Sequence, residues 1–279
     1  MKPFDLSKKQ ITYSLFGLLL GDGWIQNLRT ERKNKQLVIQ HSMKQEKYTR
    51  WLESLFKIWG IYRYSHYNQK KMTTFGELEY CTVCSDLLGS RHFLKYNRFY
   101  DNDYHKIMSE YILKRITPLG LLFWFLDDGY LTIKKRESLS KKTNQDDCYR
   151  ITRFAGLSTY SYSYESHLNA QKLFKERFNI DVKIHHFTKN NKIFYKLYFS
   201  AENFRKFYEI VRPYICYIPE NMQYKFDMKY NPNRVINVKG GTKKAVDINF
   251  TNYNIPLRIA SKKDDEIVHS VLNISKETV

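Results

Sequence analysis

Acidic side chains are scarce in this chain of 279 residues: 28 Asp and Glu stand against 47 Lys and Arg, a formal charge of +19. An excess of that size disfavours an ordinary small-molecule enzyme and selects a polyanionic partner, with nucleic acid first. A membrane surface ranks well below it, because the basic residues run along the whole chain instead of gathering in one amphipathic helix or juxtamembrane cluster. Long apolar runs are missing too. None approaches the roughly 20 residues that span a bilayer, and the opening MKPFDLSKKQ lacks the apolar stretch of a secretory signal. A soluble protein with no membrane partner is expected. Cysteine is sparse: Cys81, Cys84, Cys148 and Cys216 are irregularly spaced, and the lone CxxC of Cys81 and Cys84 has no second Cys or His pair to complete a zinc site. The four are read as reduced, mostly buried thiols in an intracellular compartment.

What the chain does contain is a repeat. Residues 15–23 read LFGLLLGDG and residues 121–129 read LLFWFLDDG. Each is an apolar, helix-length run stopping on aspartate and glycine, which places Asp22 and Asp128 at equivalent ends of two equivalent helices. A helix C-terminus already carries partial negative charge, so a carboxylate there is disfavoured. One such Asp-Gly is most simply a helix stop; two copies with the same apolar preface are not. If the helices pack in parallel, both carboxylates and several carbonyl oxygens meet at one end, a site for hard divalent cations. Gly17 and Gly21 allow a close approach, while the second copy holds Phe123 and Asp127 at those places. The contact is therefore expected to be asymmetric, with Phe123 or Trp124 occupying the space that glycine leaves open.

The order of elements repeats as well. After Gly23, WIQNLRTERKNKQLVIQHS predicts two strands around a turn near residues 31–35, with Leu37, Ile39 and His41 alternating against Gln36, Val38, Gln40 and Ser42. Residues 45–58 have amphipathic helical spacing, and Gly60 ends them. Strands follow at about 62–67 and 78–84, then a helix capped by Ser85 or Asp86. The second half runs through a strand from Tyr130, a polar loop over 137–147, a strand over 149–157, a helix over 163–178, strands over 182–187 and 193–199, and a helix from Ala201. Each half is thus helix, two strands, helix, two strands, helix, and the fold class is α+β. The divisions expected are a first half over 1–100, a linker over 101–116, a second half over 117–230, and an appendage of unknown role over 231–279.

The strands offer polar and basic faces: Gln40, Lys134, Arg136, Lys183, His185, Lys192 and Lys196, with Gln26, Arg29, Arg32, Lys33, Lys35, Arg150 and Arg153 on neighbouring strand and turn positions. Strand ribbons fit the major groove, where such side chains reach base edges or phosphates. Most charged strand faces are merely solvated, but the excess of positive charge favours the groove.

These motifs resemble the paired signature of the LAGLIDADG homing endonucleases, single-chain two-motif type, over roughly residues 10–230. Supporting features are Thr117 and Pro118 before the second motif (ITPLGLLFWFLDDG) and a late RPYI followed by IPENMQYKF, residues 212–215 and 218–226. The resemblance implies two pseudo-symmetric halves packed through the motif helices, with saddle-shaped antiparallel sheets facing double-stranded DNA. It implies a monomer that cuts a long asymmetric site across the minor groove, leaving 3′ overhangs, with Mg2+ as cofactor and Mn2+ able to substitute. Asp22 and Asp128 would be the metal-holding side chains, helped by the backbone carbonyls of Gly21 and Asp127; by register with Asp22, the side chain of Asp127 is excluded. The family keeps a lysine near each metal. Lys225 matches in the second half. In the first half an ungapped alignment lands on His105 with Lys106 beside it, and Met108 replaces the usual proline; Lys106 is preferred because it is protonated at neutral pH without help, with His105 in reserve. The fold also occurs in intron RNA-binding maturases, so a splicing cofactor without nuclease activity is the alternative, and a catalytically dead DNA-binding regulator a third. Abundant Lys, Asn, Ile and Tyr suggest an AT-rich coding sequence, hence an organellar location (mitochondrion or chloroplast), or else a phage or bacterial one.

Overall fold

The computed structural model describes residues 6–26, 36–73, 76–86, 97–138, 148–226, 236–238, 241–243 and 245–246. Helix α1 (Lys8–Leu20) starts on a reciprocal cap in which the Ser7 hydroxyl and the Gln10 side chain each accept the other's backbone N–H. From Ile11 to Leu20 it carries no charge and is buried almost throughout. Strands β1 (Trp24–Gln26) and β2 (Gln36–Ser42) precede α2 (Glu46–Ile58), and β3 (Tyr62–Thr73) and β4 (Gly76–Asp86) complete an antiparallel sheet in the order β1-β2-β4-β3. The β3–β4 hairpin runs further than the alternation predicts. Its outer part exposes both faces, Met72 and Leu78 included, so burial imposes no period there. Ser85, expected to cap a helix, is instead a buried strand residue paired with Leu37 and Tyr62, and Asp86 is the last residue of β4, ion-paired to Arg63. The helix expected to follow lies outside the described residues.

The short α3 (Glu110–Leu113) precedes α4 (Pro118–Asp128), whose Thr117 cap accepts from the Gly120 N–H with Pro118 in the first turn. β5 (Gly129–Ser138), β6 (Cys148–Leu157), α5 (Tyr164–Phe178), β7 (Lys183–Lys189), β8 (Lys192–Phe199) and α6 (Ala201–Ile215) repeat the first half's order, and a 3₁₀ segment at Glu220–Phe226 follows. The second sheet orders β5-β6-β8-β7 antiparallel; a two-residue strand from the C-terminal region, Ala245–Val246, lies parallel to β6. Cys81 and Cys84 are buried thiols, as expected, whereas Cys216 is exposed. Among the described residues no helix is long and apolar enough to cross a membrane.

The core is continuous across both halves, and α1 and α4 lie at its centre. Backbone meets backbone there. A Cβ on Gly17 would fall 1.7 Å from the Gly120 carbonyl oxygen, and one on Gly120 would approach the carbonyls of Tyr13 and Ser14. The Ser14 and Thr117 hydroxyls, 2.7 Å apart and buried, satisfy each other at the same crossing. Glycine inside a helix costs about 1 kcal/mol against alanine, and here the close approach offsets that cost. The expected asymmetry is present, but with other residues. Gly17 faces Gly120, Phe123 packs against Trp51 of α2 and Trp59 just after it, and Trp124 stacks on Phe174 of α5.

Candidate active site

The paired helices deliver their C-termini to one place. α1 stops at Leu20, leaving Gly21 and Asp22 in a turn, while α4 stays helical through Asp128. That difference decides which carboxylates meet. Gly21 has no side chain, and the Asp127 carboxyl fills the gap: a Cβ on Gly21 would sit 2.4 Å from Asp127 Oδ2. Asp127 Oδ2 accepts from the Asp22 backbone N–H at 3.1 Å, and Asp127 Oδ1 accepts from the Tyr48 hydroxyl at 2.9 Å. The side chain gathered with Asp22 is therefore that of Asp127, where the register argument had put Asp128. Asp128 turns along its own helix and accepts from Trp124 Nε1 at 3.2 Å. It remains near enough that Asp127 and Asp22 act on its ionisation.

A third group completes the cluster. His41, on the core side of β2, places Nε2 3.4 Å from Asp22 Oδ2 and 3.5 Å from Asp127 Oδ1. The sequence reading put His41 on the core face with Leu37 and Ile39 and gave it no role. Burial alone would lower its pKa, but the carboxylates of Asp127 and Asp22 outweigh burial and carry it up to about 9. Asp22 is the accessible member, its side chain 46% exposed while that of Asp127 is fully covered. Burial raises Asp22, yet His41, with Lys106 and Lys225 further off, holds it below the ordinary value. Burial raises Asp127, and burial followed by the charges of Asp127 and Asp22 pushes Asp128 up to about 8.

Two lysines cap the two helix ends. Lys106 Nζ donates to the Gly21 carbonyl at 2.6 Å. Lys225 Nζ donates to the carbonyls of Leu126 and Asp127, the latter at 3.2 Å, with Phe125 O at 3.5 Å. The Gly21 and Asp127 carbonyls, expected to face a metal ion, are thus held by ammonium groups. Burial lowers both lysine pKa values against the pull of the three aspartates. His105 is turned out to solvent beside Asp101 and is no part of the cluster. Another buried donor, the Tyr162 hydroxyl, holds the Leu20 carbonyl at 2.6 Å. Replacing Lys225 with methionine is expected to deprive the Leu126 and Asp127 carbonyls of their ammonium donor and lower stability by on the order of 1–3 kcal/mol, measured by urea unfolding.

The donor set fits a hard divalent cation. Two carboxylates, Asp22 and Asp127, meet at one place with His41 Nε2 at ion-pair distance from both, burial resists ionisation of Asp127, and Asp128 stands nearby on its own helix.

The strand-face residues divide. Lys183, His185, Lys192 and Lys196 share one face of β7 and β8, while Lys134, Arg136, Arg150 and Arg153 lie in the paired strands β5 and β6 with side chains outside the described part of the structure. Lys183, His185 and Lys192 are exposed, His185 stacking on Tyr198 with ring centroids 4.4 Å apart. Lys196 lies over the Tyr130 ring, which itself crosses Gly156. In the first sheet Gln26 is exposed, but Gln40 is engaged by Thr82 and Lys71. Arg29, Arg32, Lys33 and Lys35 lie outside the described residues.

The family model described as "LAGLIDADG DNA endonuclease family" matches residues 13–207. The chain belongs to that family. Among curated proteins, a probable intron-encoded endonuclease 1 of Wickerhamomyces canadensis is 27% identical over 219 residues, covering 76% of this chain and 81% of the relative. A protein named RecA from Mycolicibacterium flavescens is 27% identical over 224 residues, 80% of this chain but 48% of that protein, so the chain spans about half the length of that relative. Among solved structures, the homing endonuclease I-WcaI bound to its DNA recognition sequence superposes with a TM-score of 0.57 at 22% identity, over 82% of this chain and 89% of that one. At that identity the likeness is one of fold, and it agrees with an α+β LAGLIDADG architecture of two antiparallel sheets around paired motif helices.

Proposed function

We propose that this chain is a sequence-specific DNA endonuclease that hydrolyses one phosphodiester on each strand of a long, asymmetric duplex site, acting as a monomer in the manner of intron homing. The observation that carries the reading is the meeting of Asp22 and Asp127, with Asp128 beside them, at the abutting ends of α1 and α4, with a lysine donating to the carbonyls at each end. Asp22 and Asp128 serve one half each, and Mg2+, with Mn2+ as a substitute, is the proposed cofactor. Bound there, a divalent ion supplies charge to the phosphate and lowers the pKa of water for attack. The chain's own groups do the rest. Lys106 and Lys225 offset charge that builds on the phosphate, while Asp127, fixed by Tyr48 and the Asp22 N–H, keeps the helix ends from separating. The strand faces bind the flanking duplex, and cleavage across the intervening minor groove leaves 3′ overhangs.

The test is linearisation of a plasmid carrying the uninterrupted host gene, in Mg2+. Failure to cut any insertion site, together with tight binding to the host intron RNA, would transfer the protein to the maturases; specific DNA binding without cutting would make it a regulator. Affinity for DNA should also fall with salt, by about one power of concentration per phosphate neutralised. Fluorescence anisotropy across a salt series measures the slope, and a flat response would remove the strand faces from the interface.

A further inference from the structure

We propose that His41 is a metal ligand: one cation site of this chain is a mixed nitrogen and oxygen site formed by Asp22, His41 Nε2 and Asp127, which favours Mn2+ over Mg2+. The inference rests on the endonuclease reading for the site's purpose, but its geometry stands apart. One oxygen from each carboxylate and Nε2 lie within 4.8 Å of one another. The His41 side chain is 1% exposed, and its Nε2 lies at ion-pair distance from both carboxylates, too far and too askew for a hydrogen bond to either. Two carboxylates share this one buried ring nitrogen at ion-pair distance, an arrangement in which a divalent cation can take the place of the proton between them. The rest of the ring is prepared for that role. Nδ1 lies 3.2 Å from the Thr49 hydroxyl, which contacts Cys81 Sγ in turn at 3.0 Å. With the Nδ1 proton given to Thr49, a cation that displaces the Nε2 proton meets a ring already oriented, the outer-sphere arrangement that positions metal-bound imidazoles. An imidazole donor suits transition ions such as Mn2+ better than Mg2+, which prefers oxygen.

The second half shows that this histidine is a local choice. Trp24 pairs with Val38 and Tyr130 with Gly156, each first residue following its Asp-Gly. Carried along the chain, that register sets Thr159 in the place of His41 and His167 in the place of Thr49. The same hydrogen-bonded pair recurs with its members exchanged, Thr159 Oγ1 to His167 Nε2 at 2.8 Å, again eight residues apart. There the imidazole sits on the helix, its Nδ1 against the Ser163 carbonyl, with both nitrogens occupied. One end of the site therefore has a nitrogen donor and the other has none.

Pulsed EPR of Mn2+ bound to the full chain without DNA tests the proposal. Wild type should show hyperfine coupling from a directly bound nitrogen that changes on 15N-histidine labelling and is lost in His41→Gln. By calorimetry, Mn2+ should bind wild type about tenfold more tightly than it binds His41→Gln, with Mg2+ affinity little changed. Bound Mn2+ without nitrogen coupling, coupling that survives in His41→Gln, or no Mn2+ binding would each overturn it; the wild-type spectrum decides even if the variant does not fold. Plasmid cleavage with no nitrogen coupling would refute the ligand and leave the endonuclease standing. Coupling with no cleavage at any insertion site would do the reverse.

Discussion

Asp22→Asn is expected to bind DNA and leave it uncut. The substitution keeps the shape and the backbone N–H that donates to Asp127, so the helix ends stay joined. It removes the accessible carboxylate of the cluster and with it the charge that holds a cation against the phosphate. A metal-dependent hydrolysis that loses this group should slow by ~10³-fold or more, equivalent to roughly 4 kcal/mol of barrier. Binding should hold or tighten slightly, because one negative charge facing the phosphates has gone. The measurement is single-turnover cleavage beside a mobility-shift titration on the same duplex. A variant that cuts near the wild-type rate would place the chemistry away from this helix end.

The largest effect on stability should come from Gly17→Ala. The added methyl would lie 1.7 Å from the carbonyl oxygen of Gly120, backbone against backbone, with no flexible side chain to give way. The helices must part, and the Ser14–Thr117 hydrogen bond at the same crossing lengthens with them. Overpacking of this kind costs about 3 kcal/mol or more, a fall in melting temperature on the order of 10 °C for a domain of this size. Gly120→Ala makes a useful contrast. Its nearest neighbour is the Ile116 side chain at 2.8 Å, with carbonyls at 3.0 and 3.1 Å, so it should lose less. Equal melting of both variants, or none below wild type, would mean that the crossing is looser than described.

The sequence made the helix pair and the order of elements legible because each rests on a hydrophobic pattern, unbroken apolar runs for α1 and α4 and a helical stripe for α2, whereas β2 is covered on both faces over residues 36–39 and Tyr164 and Leu168 of α5 are exposed. Near the site, the same reasoning stopped one residue short. Whether Asp127 or Asp128 faces Asp22 depends on where each helix lets go of its last turn, and identical Asp-Gly endings do not encode that α1 ends at Leu20 while α4 continues to Asp128. His41 was visible as an inward-facing strand residue, and a histidine among Leu37 and Ile39 was the available signal. Its partners come from α1 and α4, brought together only by the fold. β4 runs past its apparent end for a different reason. Ser85 has a capping side chain, but strand pairing on both sides keeps it in the sheet.

The fit between Gly21 and Asp127 also bears on which molecules can be built from these parts. Two copies of the first half, joined through α1, would put glycine opposite glycine and leave a hole where the acid now sits. Two copies of the second half would force a pair of aspartates into one pocket, each crowding and repelling the other. Neither self-pairing reproduces the lock that the unlike halves make together, so the interface is built for two different halves. A chimaera that exchanges one half for a foreign sheet should assemble only when the incoming motif helix brings a residue complementary to the one that stays.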